Sequence, residues 1–252
     1  EEKIHPTDRE FFGSEWTPGI DGDPHIYILY TRGISGMIAG YFSSADEMSP
    51  LAHKYSHAHE MFFFNADIVN LSDEFTYGVL AHEFQHMIGW VHDRNETTWV
   101  SEGLADLAMH LNGYTIGGHD LMYISNPDLQ LNDWPPDDNE HVPHYGASFL
   151  FMDYFLNRFG KEATQALAND PANGLEGVDN TLKQINATDP ATGKLVQTED
   201  FFADWAVTNY LLDASVADGR YVYANYAGAF QASATETISS CPQSALSRDV
   251  HQ

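Results

Sequence analysis

Cysteine is almost missing: Cys241 is the only one in 252 residues, so no internal disulfide can form. Any metal site must then be built from histidine and carboxylate. Basic residues are scarce as well. Lys and Arg number 11 against 37 Asp and Glu, and the formal net charge of −26 repels nucleic-acid backbones and anionic membrane surfaces. Nucleic acid is thereby excluded as a partner. The acidity reads instead as a solvated surface that keeps an extracellular or halophilic protein soluble.

Long apolar runs are absent, since no stretch approaches the roughly 18 residues of a membrane span. The N-terminal EEKIHPTDRE does not resemble a signal peptide. Its abrupt start is what a mature or trimmed product would show, with a leader or further domains removed. Sequons at Asn95 and Asn186 fit export. A secreted monomer is expected. With 43% hydrophobic residues the chain can bury a substantial core, as one large domain or two closely packed lobes.

Strand signals come early. HIYILYT, a break at RGISG and MIAGYFS predict strands across residues 21 to 43, and MFFFNADIV, residues 61 to 69, predicts another. The last could be the sheet edge along which an extended peptide lies, or a plain core strand. DGDP, residues 21 to 24, reads as a turn, with a calcium loop as the alternative. Ser72, followed by Asp73 and Glu74, predicts a helix cap and a helix over 73 to 90. A helix over 98 to 111 follows, then a long Pro- and Asp-rich loop, then a strongly apolar helix from Tyr145 stopped by Gly160. Further helices are predicted at 161–169, 174–185 and 199–213, the last capped by Thr198. Strands followed by helices predict an α+β fold rather than alternating βαβ units.

The chemistry concentrates in HEFQHMIGWVHDRNETTWVSEGLAD, residues 82 to 106. His82 and His86 are four apart on a helix, about 6 Å along its axis, so both rings can address one ion. Glu83 is turned by about 100° and flanks the place where a metal-bound water would sit, as a general base must. Burying this trio in the apolar setting FTYGVLAHEFQHMIGW without a shared partner would be costly.

A zinc hydrolase needs a third protein ligand and an open fourth position. His92 is one candidate, because HEFQHMIGWVH matches H-E-x-x-H-x-x-G-x-x-H, with Met122 in LMYIS as a possible Met-turn. Glu102 is the other, and the favoured one. Asp106, one helical turn beyond it, can hold a ligand imidazole N–H while Glu102 binds the metal.

HEFQHMI, TWVSEGLAD and HYGASFLFMDYFLNRFG together resemble the glutamate-zincins, or gluzincins, and among them the secreted bacterial neutral peptidases of the hyicolysin type. The resemblance covers about residues 25 to 212. It implies a zincin-like, thermolysin-like architecture: a small N-terminal β-sheet over the active-site helix, residues 1–111, and a mainly helical second lobe, residues 112–252. It implies zinc on His82, His86 and Glu102, Glu83 as base, and Asp106 behind a ligand.

A Tyr or His from the second lobe should stabilise the oxyanion, with Tyr145 the first choice and His144 and His141 the alternates. A peptide or protein is the expected substrate, zinc the expected cofactor, and calcium an additional option. Two other functions stay open: a non-catalytic adhesion or binding module with structural zinc, and hydrolysis of an amide that is not in a protein.

Overall fold

The computed structural model describes residues 2–34, 36, 38–137 and 140–235. Cys241 lies outside them. The fold is mixed α+β, a three-stranded sheet with a larger set of helices, compatible with a zincin-like fold.

Helix α1, Ile4–Phe12, comes first and was not expected from the sequence. Pro6 sits in its first turn, where a missing N–H costs nothing. Strands β1, Tyr27–Thr31, β2, Gly40–Phe42, and β3, Met61–Asn65, then form a sheet in the order β1-β3-β2. β3 runs parallel to β1, with Leu29 opposite Phe63, and antiparallel to β2, with Tyr41 opposite Phe63.

This order overturns the reading of MFFFNADIV as a sheet edge. β3 is the central strand and all five of its residues are buried, as expected of a strand covered on both faces. The edges are β1, whose Tyr27, Ile28, Leu29 and Tyr30 are exposed, and β2.

Helix α2, Glu74–His92, packs Phe84 edge-on against Phe62 of β3. Its cap differs from the expected one. Asp73 holds the cap position, and the Ser72 hydroxyl donates to Asn70 instead. Helix α3, Thr98–Leu111, matches its predicted span and buries Trp99, Val100, Leu104 and Leu107. Each such side chain stabilises the fold by about 1.5–3 kcal/mol.

Helix α4, His119–Ser125, lies just before the Pro- and Asp-rich loop and was not predicted from the sequence. Helix α5, Val142–Ala168, is interrupted at left-handed Gly160, where the sequence predicted a stop and a new start. Helices α6, Leu175–Gln184, and α7, Thr198–Leu211, follow. The cap of α7 is Gln197, paired reciprocally with Asp200 in a capping box, rather than Thr198.

α3 and α5 approach so closely that a Cβ on Gly103 would lie 2.8 Å from the Ser148 carbonyl oxygen. Only glycine fits there, and Glu102 is its neighbour in sequence. Among the described residues no helix is long and apolar enough to cross a membrane.

Candidate metal centre

α2 supplies His82 and His86 from successive turns, and α3 brings Glu102 to them. The Nε2 atoms of the two histidines are 3.1 Å apart, and Glu102 Oε2 lies 3.1 Å from the first and 3.3 Å from the second. Donors around a tetrahedral zinc with bonds of about 2.0–2.1 Å are separated by about 3.3–3.4 Å. The three atoms have nearly that spacing.

Their chemistry makes the stronger case. His82 Nδ1 is 2.9 Å from Oδ1 of the fully buried Asp106, so the ring proton belongs on Nδ1 and the lone pair on Nε2. His86 Nδ1 is turned to Ser101 Oγ at 3.1 Å, a hydroxyl able to accept the ring proton in the same tautomer. Two imidazole lone pairs and a carboxylate oxygen then face one another across about 3 Å. Three acceptors in mutual contact repel unless positive charge, a proton or a metal ion, sits among them.

The electrostatics agree. Burial opposes charge on His82, yet Asp106 and Glu102 overcome it and push its proton affinity well above the ordinary histidine value. Burial likewise opposes ionisation of Glu102, and His86 and His82 outweigh it, holding the carboxyl well below the usual range. The pocket attracts positive charge. Among the described residues His82, His86 and Glu102 form the one group of three side chains spaced to hold a metal ion.

Glu83 stands beside this triad and is 7% exposed. Its Oε2 accepts the Phe42 backbone N–H of β2 at 2.8 Å, which fixes the carboxylate against the sheet edge. The whole arrangement lines a cleft of about 1490 Å³, whose walls include Tyr41 and Phe42 of β2 and His119, His141 and Tyr145 from the far side. The Tyr145 ring lies 6.2 Å from that of His82 and 5.2 Å from that of His119.

His119 is the cleft residue that the sequence did not disclose. Its Nδ1 is 2.9 Å from Asp106 Oδ2, so one buried carboxylate serves two imidazoles, His82 through one oxygen and His119 through the other. With Nδ1 engaged, Nε2 is the atom His119 can offer a ligand in the cleft. α5 presses tightly against this corner: a Cβ on Gly146 would come within 2.1 Å of the His119 carbonyl oxygen. Tyr145 and His119 are thus set side by side by the packing of α4 on α5.

No family model matches the chain. The neutral metalloprotease ShpI of Staphylococcus hyicus is 25% identical to it over 203 residues, 71% of this chain and 46% of that protein. That similarity supports a metalloprotease relationship. The chain spans about half the length of this relative.

The other residues singled out in the sequence do not join the triad. α2 runs unbroken through Gly89 instead of turning there, and His92 ends the helix exposed, against Gly13 rather than beside His82 and His86. Met122 is an exposed residue of α4, so LMYIS forms a helix and no Met-turn. His144 is buried against Trp134, outside the cleft. His141 lines the cleft and donates from Nε2 to the Pro135 carbonyl at 2.7 Å. In DGDP, the Asp21 and Asp23 carboxylates are taken up by His59 and His25.

Proposed function

We propose that this chain is a secreted, zinc-dependent endopeptidase with a zincin-like catalytic fold, in which His82, His86 and Glu102 hold the metal and Glu83 is the general base. The observation that carries the reading is the convergence of two lone-pair imidazole nitrogens and one carboxylate oxygen at 3.1–3.3 Å, with a fourth side left to an open cleft. The metalloprotease name of the relative in Staphylococcus hyicus agrees with it.

Zinc, when bound, lowers the pKa of water and polarises a carbonyl. The protein's own groups do the rest. Glu83, anchored through Oε2 by the Phe42 N–H, takes a proton from the attacking water and delivers it to the leaving amine. Asp106 keeps His82 in the tautomer that presents Nε2 as a lone pair. Tyr145, through its hydroxyl, and His119, through Nε2, are the groups on the far wall of the cleft that meet the carbonyl oxygen as it becomes negative. An extended peptide lies along β2, the sheet edge that forms one wall of the cleft.

The test is Glu83→Gln, assayed on casein and quenched peptides. Zinc content should be unchanged while kcat falls by about 10²- to 10⁴-fold. Near-normal turnover in this variant would remove Glu83 from the mechanism, and zinc-loaded wild type that cleaves no peptide would remove the peptidase reading itself.

A further inference from the structure

After α7 the described chain forms no further helix or strand, yet it is fastened along the helical part of the molecule. Asn157 of α5 binds it twice, donating to the Val222 carbonyl and accepting the Ala224 N–H, both at 3.0 Å. His110 of α3 donates to the Asn225 carbonyl at 3.1 Å. The segment then reaches α4 at both ends of that helix. The Tyr226 hydroxyl donates to Asp120 Oδ2 at 2.8 Å in the first turn, and the Ser233 N–H donates to the Ile124 carbonyl at 2.8 Å in the last.

α4 has only seven residues, too few to be stable by itself, so its place depends on what surrounds it. In front, its first residue His119 meets Asp106. At the side, Gly146 of α5 lies against its backbone. Behind, the strap is its tether, and the acceptor of the tether, Asp120, is only 3% exposed. The residue gripped from behind is thus the immediate neighbour of the one presented to the cleft.

We infer that Tyr226 is a positioning residue: its hydroxyl, by holding Asp120, fixes α4 and thereby sets His119 against Asp106 in the cleft. The part of this inference that concerns turnover rests on the peptidase reading; the part that concerns α4 does not. The Tyr226 ring packs edge-on against His110 and Phe149, so Tyr226→Phe keeps the packing and removes only the tether.

The experiment is hydrogen exchange of zinc-loaded wild type and Tyr226→Phe, with steady-state kinetics of both in wild-type and His119→Ala backgrounds. Amides of residues 119–125 should exchange about tenfold faster in Tyr226→Phe, with α2 and α3 unchanged. The kcat should fall about fivefold with KM unchanged, and Tyr226→Phe should cost nothing further once His119 is alanine. Asp120→Ala, which removes the acceptor instead of the donor, should reproduce the exchange pattern, and Asp120→Asn, which keeps an acceptor oxygen, should restore it. Unchanged exchange in 119–125, in either Tyr226→Phe or Asp120→Ala, overturns the tether. An equal loss of kcat in the His119→Ala background overturns its action through His119. Absence of any peptidase activity would count against the proposed function and leave the exchange result to decide the tether alone.

Discussion

Asp106 Oδ1 lies 2.9 Å from Nδ1 of His82, and the carboxylate that makes this contact is wholly buried. A buried carboxylate is stable only when its oxygens are engaged, and here both are, the second by His119 at 2.9 Å. Its charge is retained despite burial, because hydrogen bonds from His119 and His82 hold the carboxyl below its ordinary value. The helix spacing that puts Asp106 one turn beyond Glu102 therefore links a proposed metal ligand, His82, to a residue on the opposite wall of the cleft.

Asp106→Asn should loosen zinc by about 10- to 100-fold, since an amide cannot accept from both Nδ1 atoms while also keeping a donor nitrogen out of their way. Competition with a chromophoric chelator measures this. Affinity equal to wild type would mean that Asp106 does not orient His82.

Tyr145→Phe and His119→Ala remove the two polar groups proposed to meet the oxyanion. Each should lower kcat by about 10²-fold, with zinc content unaltered and KM changed far less. A variant whose KM rises while kcat holds would place that residue in substrate binding alone.

The proposed metal ligands show what was readable in the sequence, and one of the two proposed oxyanion donors shows what was not. His82, His86, Glu102 and Asp106 are linked by helical spacing within α2 and α3, a local property that residue order carries directly. His119 was not readable: it opens a short helix after Gly117 and Gly118, in a stretch where the sequence predicted no helix because tertiary contacts rather than propensity hold it. Strand order is likewise non-local. The unbroken apolar run MFFF did carry the sign of a central strand, buried on both faces, but nothing local says that β2 rather than β3 meets the cleft. α1 was hidden by Pro6, which discourages a helix everywhere except in the first turn, where it sits.

Asp8 offers a test of stability that does not involve the cleft. Burial pushes its carboxyl up to about 8, with only partial relief from the Asn112 amide, which donates to Oδ1 at 2.5 Å. The folded chain therefore keeps a proton on Asp8 that the unfolded chain releases above about pH 4. This contribution to stability is fully present below the unfolded value, and is lost as pH rises to about 8. Asp8→Asn removes the titration, so its stability relative to wild type should grow between pH 5 and pH 8, by at most about 1.4 kcal/mol per pH unit. Urea denaturation at several pH values measures the difference, and a gap that stays constant across that range would show that Asp8 does not titrate there.

The third metal ligand is proposed to be the Glu102 carboxylate of α3 and not the His92 imidazole at the end of α2. Zinc content after dialysis, measured by elemental analysis on wild type, Glu102→Ala and His92→Ala with folding checked by circular dichroism, addresses it directly. Stoichiometric zinc in wild type and His92→Ala, and loss of zinc in folded Glu102→Ala, is the predicted result. Zinc retained without Glu102 and lost without His92 would contradict it.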